Sequence, residues 1–242
     1  MEVLVFKDYE ALSAAAANQM LDLIRSDPYA VLCLASGSSP LRAYQCFADA
    51  VQKEQLDCSK CTIIALDEWL GVSPEDSGSC HYFLSENLLN PLNIPTRNVH
   101  LFDGLTTDPE AECEKINRFI TQIGGIDLMI VGVGMNGHIG FNEPGTPTDN
   151  YAHVIDLDEI TRTVGQKYFD KPTLLQKGIT MGLRNLLEAK KAILMANGSK
   201  KAEIIQKTVE GKVSTELPSS IMQNHTNALI MIDEEAAGKL NR

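Results

Sequence analysis

The sequence predicts an open α/β fold: one mostly parallel sheet with helices on both faces, a Rossmann-like three-layer sandwich. Three observations lead there. Short apolar runs alternate with segments of helical periodicity along the chain. Most of those runs are apolar on both faces, which suits parallel strands covered by helices on each side. No Gly/Pro/Ser linker, shift of composition or internal repeat divides the chain, so residues 1–242 read as a single domain.

The elements follow in order. Tyr9, Leu12, Ala15, Ala16, Met20, Leu21 and Ile24 recur at helical spacing and predict a helix over 8–26. Ala30–Ala35 is wholly apolar and bounded by Pro28 and Gly37, hence a buried strand. Ser36-Gly37-Ser38-Ser39 leads into a second helix, with Pro40 suited to a first helical position. Cys61–Leu66 is the next buried strand and runs into Asp67-Glu68-Trp69. Residues 108–122 form an amphipathic helix, and Asp127–Val133 a strand that ends in a glycine-rich turn. A helix near 173–188, a strand at Ala192–Ala196, a helix from about Ser199 and a strand at Ala228–Ile232 complete the chain.

Composition excludes several classes. Apolar residues are 44% and charged residues 22%, which is ordinary for a globular chain and foreign to disorder, collagen or coiled coil. The longest apolar run, around 126–133, is far short of the ~20 residues of a membrane span. The first residues carry no basic, apolar and small-residue succession, so a cytoplasmic location is expected. A net charge of −11 argues against nucleic acid and anionic membranes as partners. An anionic substrate must then be held by a local cluster of donors. The six cysteines are too sparse for a disulfide scaffold, and Cys58-Ser59-Lys60-Cys61 precedes a strand instead of opening a helix. Small, buried thiols are the expectation there.

Polar clusters stand directly after four of the buried strands: Ser36–Ser39, Asp67-Glu68, Asn136–Glu143 and Ser199–Lys201. In a parallel sheet those strand ends share one edge, so distant clusters can meet in one crevice. Ser36, Gly37, Ser38 and Ser39 read equally as a plain helix cap or as an anion cradle of hydroxyls and free N–H groups. Gly198-Ser199-Lys200-Lys201 repeats the pattern with cations, and the pair together favours a phosphate-bearing ligand. Gly132-Val133-Gly134-Met135-Asn136-Gly137 matches a dinucleotide fingerprint, but His138, Asn142, Glu143 and Pro144 follow where a helix is required. The turn presents His138, with Asn136 and Glu143 as partners that fix its tautomer. No tight metal-ligand spacing joins His138, Asp67 and Glu143, so no metal is expected. Asp67 and Glu68 point opposite ways, so only one faces a given pocket. A carboxylate in a half-buried cleft suits abstraction of a carbon-bound proton; a solvated strand end is the other reading.

Taken together, Leu66-Asp67-Glu68-Trp69 and the run Gly134-Met135-Asn136-Gly137-His138-Ile139-Gly140-Phe141-Asn142-Glu143-Pro144-Gly145 resemble the glucosamine-6-phosphate deaminase/isomerase family. The resemblance extends from the Ser36–Pro40 loop to Gly198-Ser199-Lys200-Lys201-Ala202. The related 6-phosphogluconolactonases share the fold and the Gly-His pair but lack Asn-Glu-Pro at that place. The resemblance implies aldose–ketose isomerisation of a 2-amino-2-deoxyhexose 6-phosphate with loss of ammonia, giving fructose 6-phosphate from the gluco sugar. It further implies a catalytic set of Asp67, Asn136, His138 and Glu143, with Asp67 moving a proton between C2 and C1 and His138 opening the pyranose ring. Ser36, Gly37, Ser38, Ser39, Lys167 and Lys201 would hold the phosphate. No organic cofactor or metal is implied.

Three departures from the family pattern stand out. Asn136 is the neutral variant of the histidine's partner, and Lys167 takes the place of an arginine, keeping the charge without the bidentate fork. At positions where allosteric members bind an acetylated amino-sugar phosphate, this chain has His153 and Ile155. Trp69 and Lys212-Val213-Ser214-Thr215 resemble the galactosamine-6-phosphate branch, so the C4 epimer stays open as substrate. A 6-phosphogluconolactonase-like hydrolase and a non-catalytic sugar-phosphate sensor are further alternatives, although a sensor has no need of both Asp67 and His138. The expected partner is the small sugar phosphate, in a monomer or a homo-oligomer.

Overall fold

The computed structural model describes residues 1–241. Its main sheet has seven strands in the order β1-β10-β9-β6-β2-β3-β5, and every pairing is parallel. The strands are β1 (Glu2–Phe6), β2 (Val31–Leu34), β3 (Thr62–Ala65), β5 (Val99–His100), β6 (Leu128–Val131), β9 (Ala192–Ala196) and β10 (Ala228–Asp233). A second, antiparallel sheet joins β4 (Asp67–Trp69), β8 (Lys177–Thr180) and β7 (His153–Asp156).

The apolar alternation of the strands divides the core into two layers, as period-2 geometry demands. Leu32, Leu34, Leu128, Ile130, Ile193 and Met195 pack beneath α1 (Tyr9–Ser26) and α2 (Ser38–Glu54). Cys33, Met129, Val131, Leu194, Ile230 and Ile232 face the other way. The short α3 (Cys80–Leu84) continues through a π-helical turn into α4 (Asn90–Leu92). Then come α5 (Pro109–Gln122), α6 (Glu159–Gly165), α7 (Leu183–Glu188) and α8 (Ala202–Glu210). Helices cover both faces of the main sheet, as the sequence pattern predicts. Among the described residues no helix is long and apolar enough to cross a membrane.

One expected element is different. Of the helix placed near 173–188, only Leu183–Glu188 is helical, while Lys177–Thr180 is a strand. Thr180 pairs with both Asp67 and His153, so this segment forms the middle of the small sheet. Its short apolar run fits either element by periodicity, and the pairing partners decide. Trp69, Phe141, Leu157, Phe169 and Leu175 form a separate cluster against the small sheet, with Trp69 and Phe141 ring centroids 4.5 Å apart.

The order of strands reverses between β2 and β6. From β2 the chain builds outward to β3 and β5, and from β6 outward to β9 and β10. That reversal leaves a crevice at the carboxyl ends of the central strands, where ligands bind in open α/β sheets.

Candidate active site

The loops after β2, β3, β6 and β9 line one cleft at that reversal. Ser36–Ser39, Asp67, Gly132–Met135, His138 and Lys201 all line it. Part of α6 and the turn after it close the remaining side with Thr161, Lys167 and Tyr168. Asn136 and Glu143 do not line the cleft; they stand behind His138.

The histidine is held from behind. Its Nδ1 lies 2.7 Å from Asn136 Oδ1, 3.0 Å from Thr161 Oγ1 and 3.5 Å from Glu143 Oε2. Asn136 Nδ2 donates to Glu143 Oε2 at 2.8 Å, which turns Asn136 Oδ1 toward the ring. An amide oxygen only accepts, so Nδ1 carries the hydrogen and Nε2 is the free base. The ring lies where a Cβ on residue 134 would sit, 2.2 Å from His138 Cε1, which is why the turn has glycine there. Burial pushes the Glu143 carboxyl up, but hydrogen bonds with His138, Thr161 and Asn136 outweigh it. Its pKa is held below the ordinary value. Its other oxygen accepts from Asp158 N at 3.2 Å, and Asp158 caps α6. Glu143 therefore ties α6 to the histidine turn. Asn142 anchors the same turn to the small sheet, donating to the carbonyls of Ile139 and Met181.

The adjacent carboxylates separate as strand geometry requires. Asp67 faces the cleft, whereas Glu68 turns away and accepts from the backbone N–H groups of Trp69, Cys80 and His81 at 2.8–3.0 Å. Burial pushes Asp67 up to about 7; the Cys80 thiol, 3.4 Å from Oδ1, opposes the rise and the Glu68 charge adds to it. Burial also raises Glu68 to about 7 against its three backbone donors.

At the opposite end, Gly37 begins α2 with φ +112°, a left-handed conformation glycine adopts without strain. No side chain caps α2, so the first-turn N–H groups stay open toward the cleft. Lys201 Nζ donates to Val133 O at 2.6 Å, and burial, helped by the Lys167 charge, lowers its pKa to about 8. Lys167 is exposed, with its ammonium 4.7 Å from the Tyr168 ring centroid.

The second expected anion cradle is filled by the protein itself. Gly198 N–H bonds both oxygens of Asp233 at 3.0 Å, and Ser199 N–H bonds Glu235 Oε2 at 3.2 Å. Those donors are spent on carboxylates at the end of β10 and just beyond it, so of Ser199–Lys201 only Lys201 reaches the cleft. Sequence reasoning also missed Thr161. It lies in a polar stretch of α6 whose docking over the cleft depends on Glu143 and Asp158, 15 residues apart. Only the Asn-Glu-Pro run hints at that link.

Comparison with known proteins gives the family and the fold. Residues 7–231 match the family described as glucosamine-6-phosphate isomerases/6-phosphogluconolactonase. A glucosamine-6-phosphate deaminase of Clostridium novyi is 41% identical over 241 residues, covering 99% of this chain and 100% of that protein. One from Thermoanaerobacter pseudethanolicus is 40% identical over 98% of this chain and 94% of its own length. A solved monomeric glucosamine-6-phosphate deaminase superposes with a TM-score of 0.95 at 34% identity, covering 99% of this chain and 100% of that one. The 6-phosphogluconolactonase of Trypanosoma brucei shares the fold, with a TM-score of 0.81 at 18% identity over 99% and 98% of the two chains. The chain belongs to the glucosamine-6-phosphate isomerase/6-phosphogluconolactonase family.

Proposed function

We propose that this chain is an enzyme of the glucosamine-6-phosphate deaminase type. It converts a 2-amino-2-deoxyhexose 6-phosphate and water to the 2-ketose 6-phosphate and ammonium. Glucosamine 6-phosphate, giving fructose 6-phosphate, is the substrate for which its relatives are named. One observation carries the reading: a buried carboxylate with a pKa of about 7 and a histidine with a bare Nε2 line the same cleft as an uncapped helix start and a half-buried lysine.

The phosphate lies at the α2 start, against Ser36–Ser39, with Lys201 and Lys167 supplying charge. Lys201 is half-neutral near pH 8 in the free protein, and a dianion beside it restores the proton. His138 Nε2 takes the O1 proton of the pyranose and returns it to O5, opening the ring. Asn136, Thr161 and Glu143 hold the tautomer and stabilise the imidazolium formed in transit. The opened C1 carbonyl acidifies the C2 proton. Asp67 removes it and delivers it to C1, while O1 gains a proton and the C2 amine gives one up, which leaves a C1 alcohol and an imine at C2 for water to hydrolyse to the ketone and ammonia. A base with a pKa near the operating pH is ionised yet still strong enough for this step.

Ammonia release with glucosamine 6-phosphate and with its C4 epimer, galactosamine 6-phosphate, tests the activity and ranks the two sugars. Solvent deuterium entering at C1 of the ketose product tests the proton transfer. Release of ammonia from neither sugar would overturn the reading.

A further inference from the structure

The thiol of Cys80 is buried, sits beside Asp67 and has no place in the mechanism above. Three contacts put it there. Ser79 caps α3, and Glu68 grips the first turn through Cys80 N at 3.0 Å and His81 N at 2.8 Å. The carboxylate that turns away from the cleft therefore docks the helix that brings Cys80 to the carboxylate that faces it. Cys80 Sγ lies 3.4 Å from Asp67 Oδ1, and Ser36 Oγ lies 3.0 Å from Cys80 Sγ. Burial keeps the thiol far above its ordinary pKa, so it is neutral and donates its proton. With the Ser36 hydroxyl donating to sulfur, the S–H is left for Oδ1. Among the described residues no protein group hydrogen-bonds Oδ2.

We propose that Cys80 is a positioning residue for the base: its thiol, aimed by Ser36, holds Asp67 Oδ1 and leaves Oδ2 to take the C2 proton. The inference rests on the assignment of Asp67 given above. The other titratable groups packed beside Asp67 are Glu68 next to it on β4, Cys33 on β2 and Tyr44 on α2, and His138, Lys167, Tyr168 and Lys201 line the same cleft. Burial pushes the Cys33 thiol and the Tyr44 phenol well above their ordinary values, so neither is charged near neutral pH. The Cys80 S–H is the hydrogen-bond donor that favours the ionised base, because backbone N–H groups serve only Glu68.

The test compares Cys80→Ala and Cys80→Ser with the wild type and with Asp67→Asn. Infrared titration of the carboxyl stretch in the substrate-free protein, assigned by its loss in Asp67→Asn, reads the base directly. Cys80→Ala should raise that titration by about one pH unit, since a donor to the charged form is lost. It should also lower kcat about tenfold at pH 7 and leave KM within twofold. Cys80→Ser, which keeps a donor of similar reach, should restore both readouts. An unmoved titration or an unmoved kcat in Cys80→Ala, or a serine variant no better than alanine, overturns the proposal. Deuterium exchange that survives in Asp67→Asn overturns instead the assignment of the base, and the catalytic meaning of Cys80 with it. An inactive Asp67→Asn beside an unaltered Cys80→Ala leaves the base in place and removes the thiol alone.

Discussion

The buried base of the cleft is held at an energetic cost, and removing its charge should make the protein more stable while abolishing turnover. Asp67 titrates near 7 in the folded chain, chiefly through burial, against about 3.9 in an unfolded one. Between those values the folded state binds the extra proton, so stability is full below about pH 4 and declines as pH rises toward 7. Three pH units at 1.36 kcal/mol each set an upper limit of ~4 kcal/mol on that decline. Asp67→Asn keeps the shape and the contact from Cys80 and never carries the charge. About half the limit should reappear as extra stability at pH 8, which raises Tm by about 4–8 °C in a chain of this size. Near pH 3.5, where Asp67 is mostly protonated in the folded and the unfolded chain alike, the two proteins should differ little. Urea unfolding at both pH values, with ammonia release in parallel, gives the answer. Loss of the base should lower turnover by about 10²–10⁴-fold. A mutant equally stable or weaker at pH 8 would refute the burial cost. One that still exchanges deuterium normally would remove Asp67 from its role.

Three further predictions address the other groups. Lys201→Ala should raise KM for the phosphorylated sugar with little change in kcat, since the contact is remote from the reacting carbons. In the wild type KM should climb above pH 8, as the unliganded lysine loses its proton; a flat KM from pH 7 to 9 would place the phosphate elsewhere. Thr161→Val removes a hydroxyl from His138 Nδ1 and should slow turnover of the closed pyranose by about 5–30-fold, the worth of one hydrogen bond at ~1–2 kcal/mol. His138→Gln should cost more, and an open-chain analogue should be spared in both variants; equal loss on both substrates would separate His138 from ring opening. Rates should be hyperbolic in substrate and unmoved by N-acetylglucosamine 6-phosphate. Burial lowers the His153 pKa, so it is neutral at pH 7, and Ile155 packs against the Trp69 cluster, leaving no cation at those positions to favour one state over another. Initial rates with and without the acetylated sugar phosphate check this, and a sigmoidal curve made hyperbolic by the effector would contradict it.

Much of this molecule is written in local pattern. Runs such as Ala192–Ala196 and Leu128–Val131 are apolar on both faces because helices cover both, so the parallel sheet can be read from composition and period alone. The positions of Asp67, His138 and the Ser36–Ser39 loop follow from the same rule, since polar residues after buried strands of one parallel sheet share its carboxyl edge. The opposite facing of Asp67 and Glu68 needed nothing beyond the pleat. Contacts between segments far apart in sequence decided the rest. Lys177–Thr180 is a strand because Asp67–Trp69 and His153–Asp156 pair with it on either side, and neither partner is visible in its own residues. The Gly198-Ser199 turn has the form of an anion site, yet Asp233 and Glu235 arrive from a neighbouring strand and take its donors. Thr161 meets His138 only because Glu143 holds the cap of α6, and Cys80 meets Asp67 only because Glu68 holds the start of α3. Periodicity reports which face a residue turns to the core. It carries no record of which other segment will supply its hydrogen-bond partner, and for His138 that partner sets the tautomer.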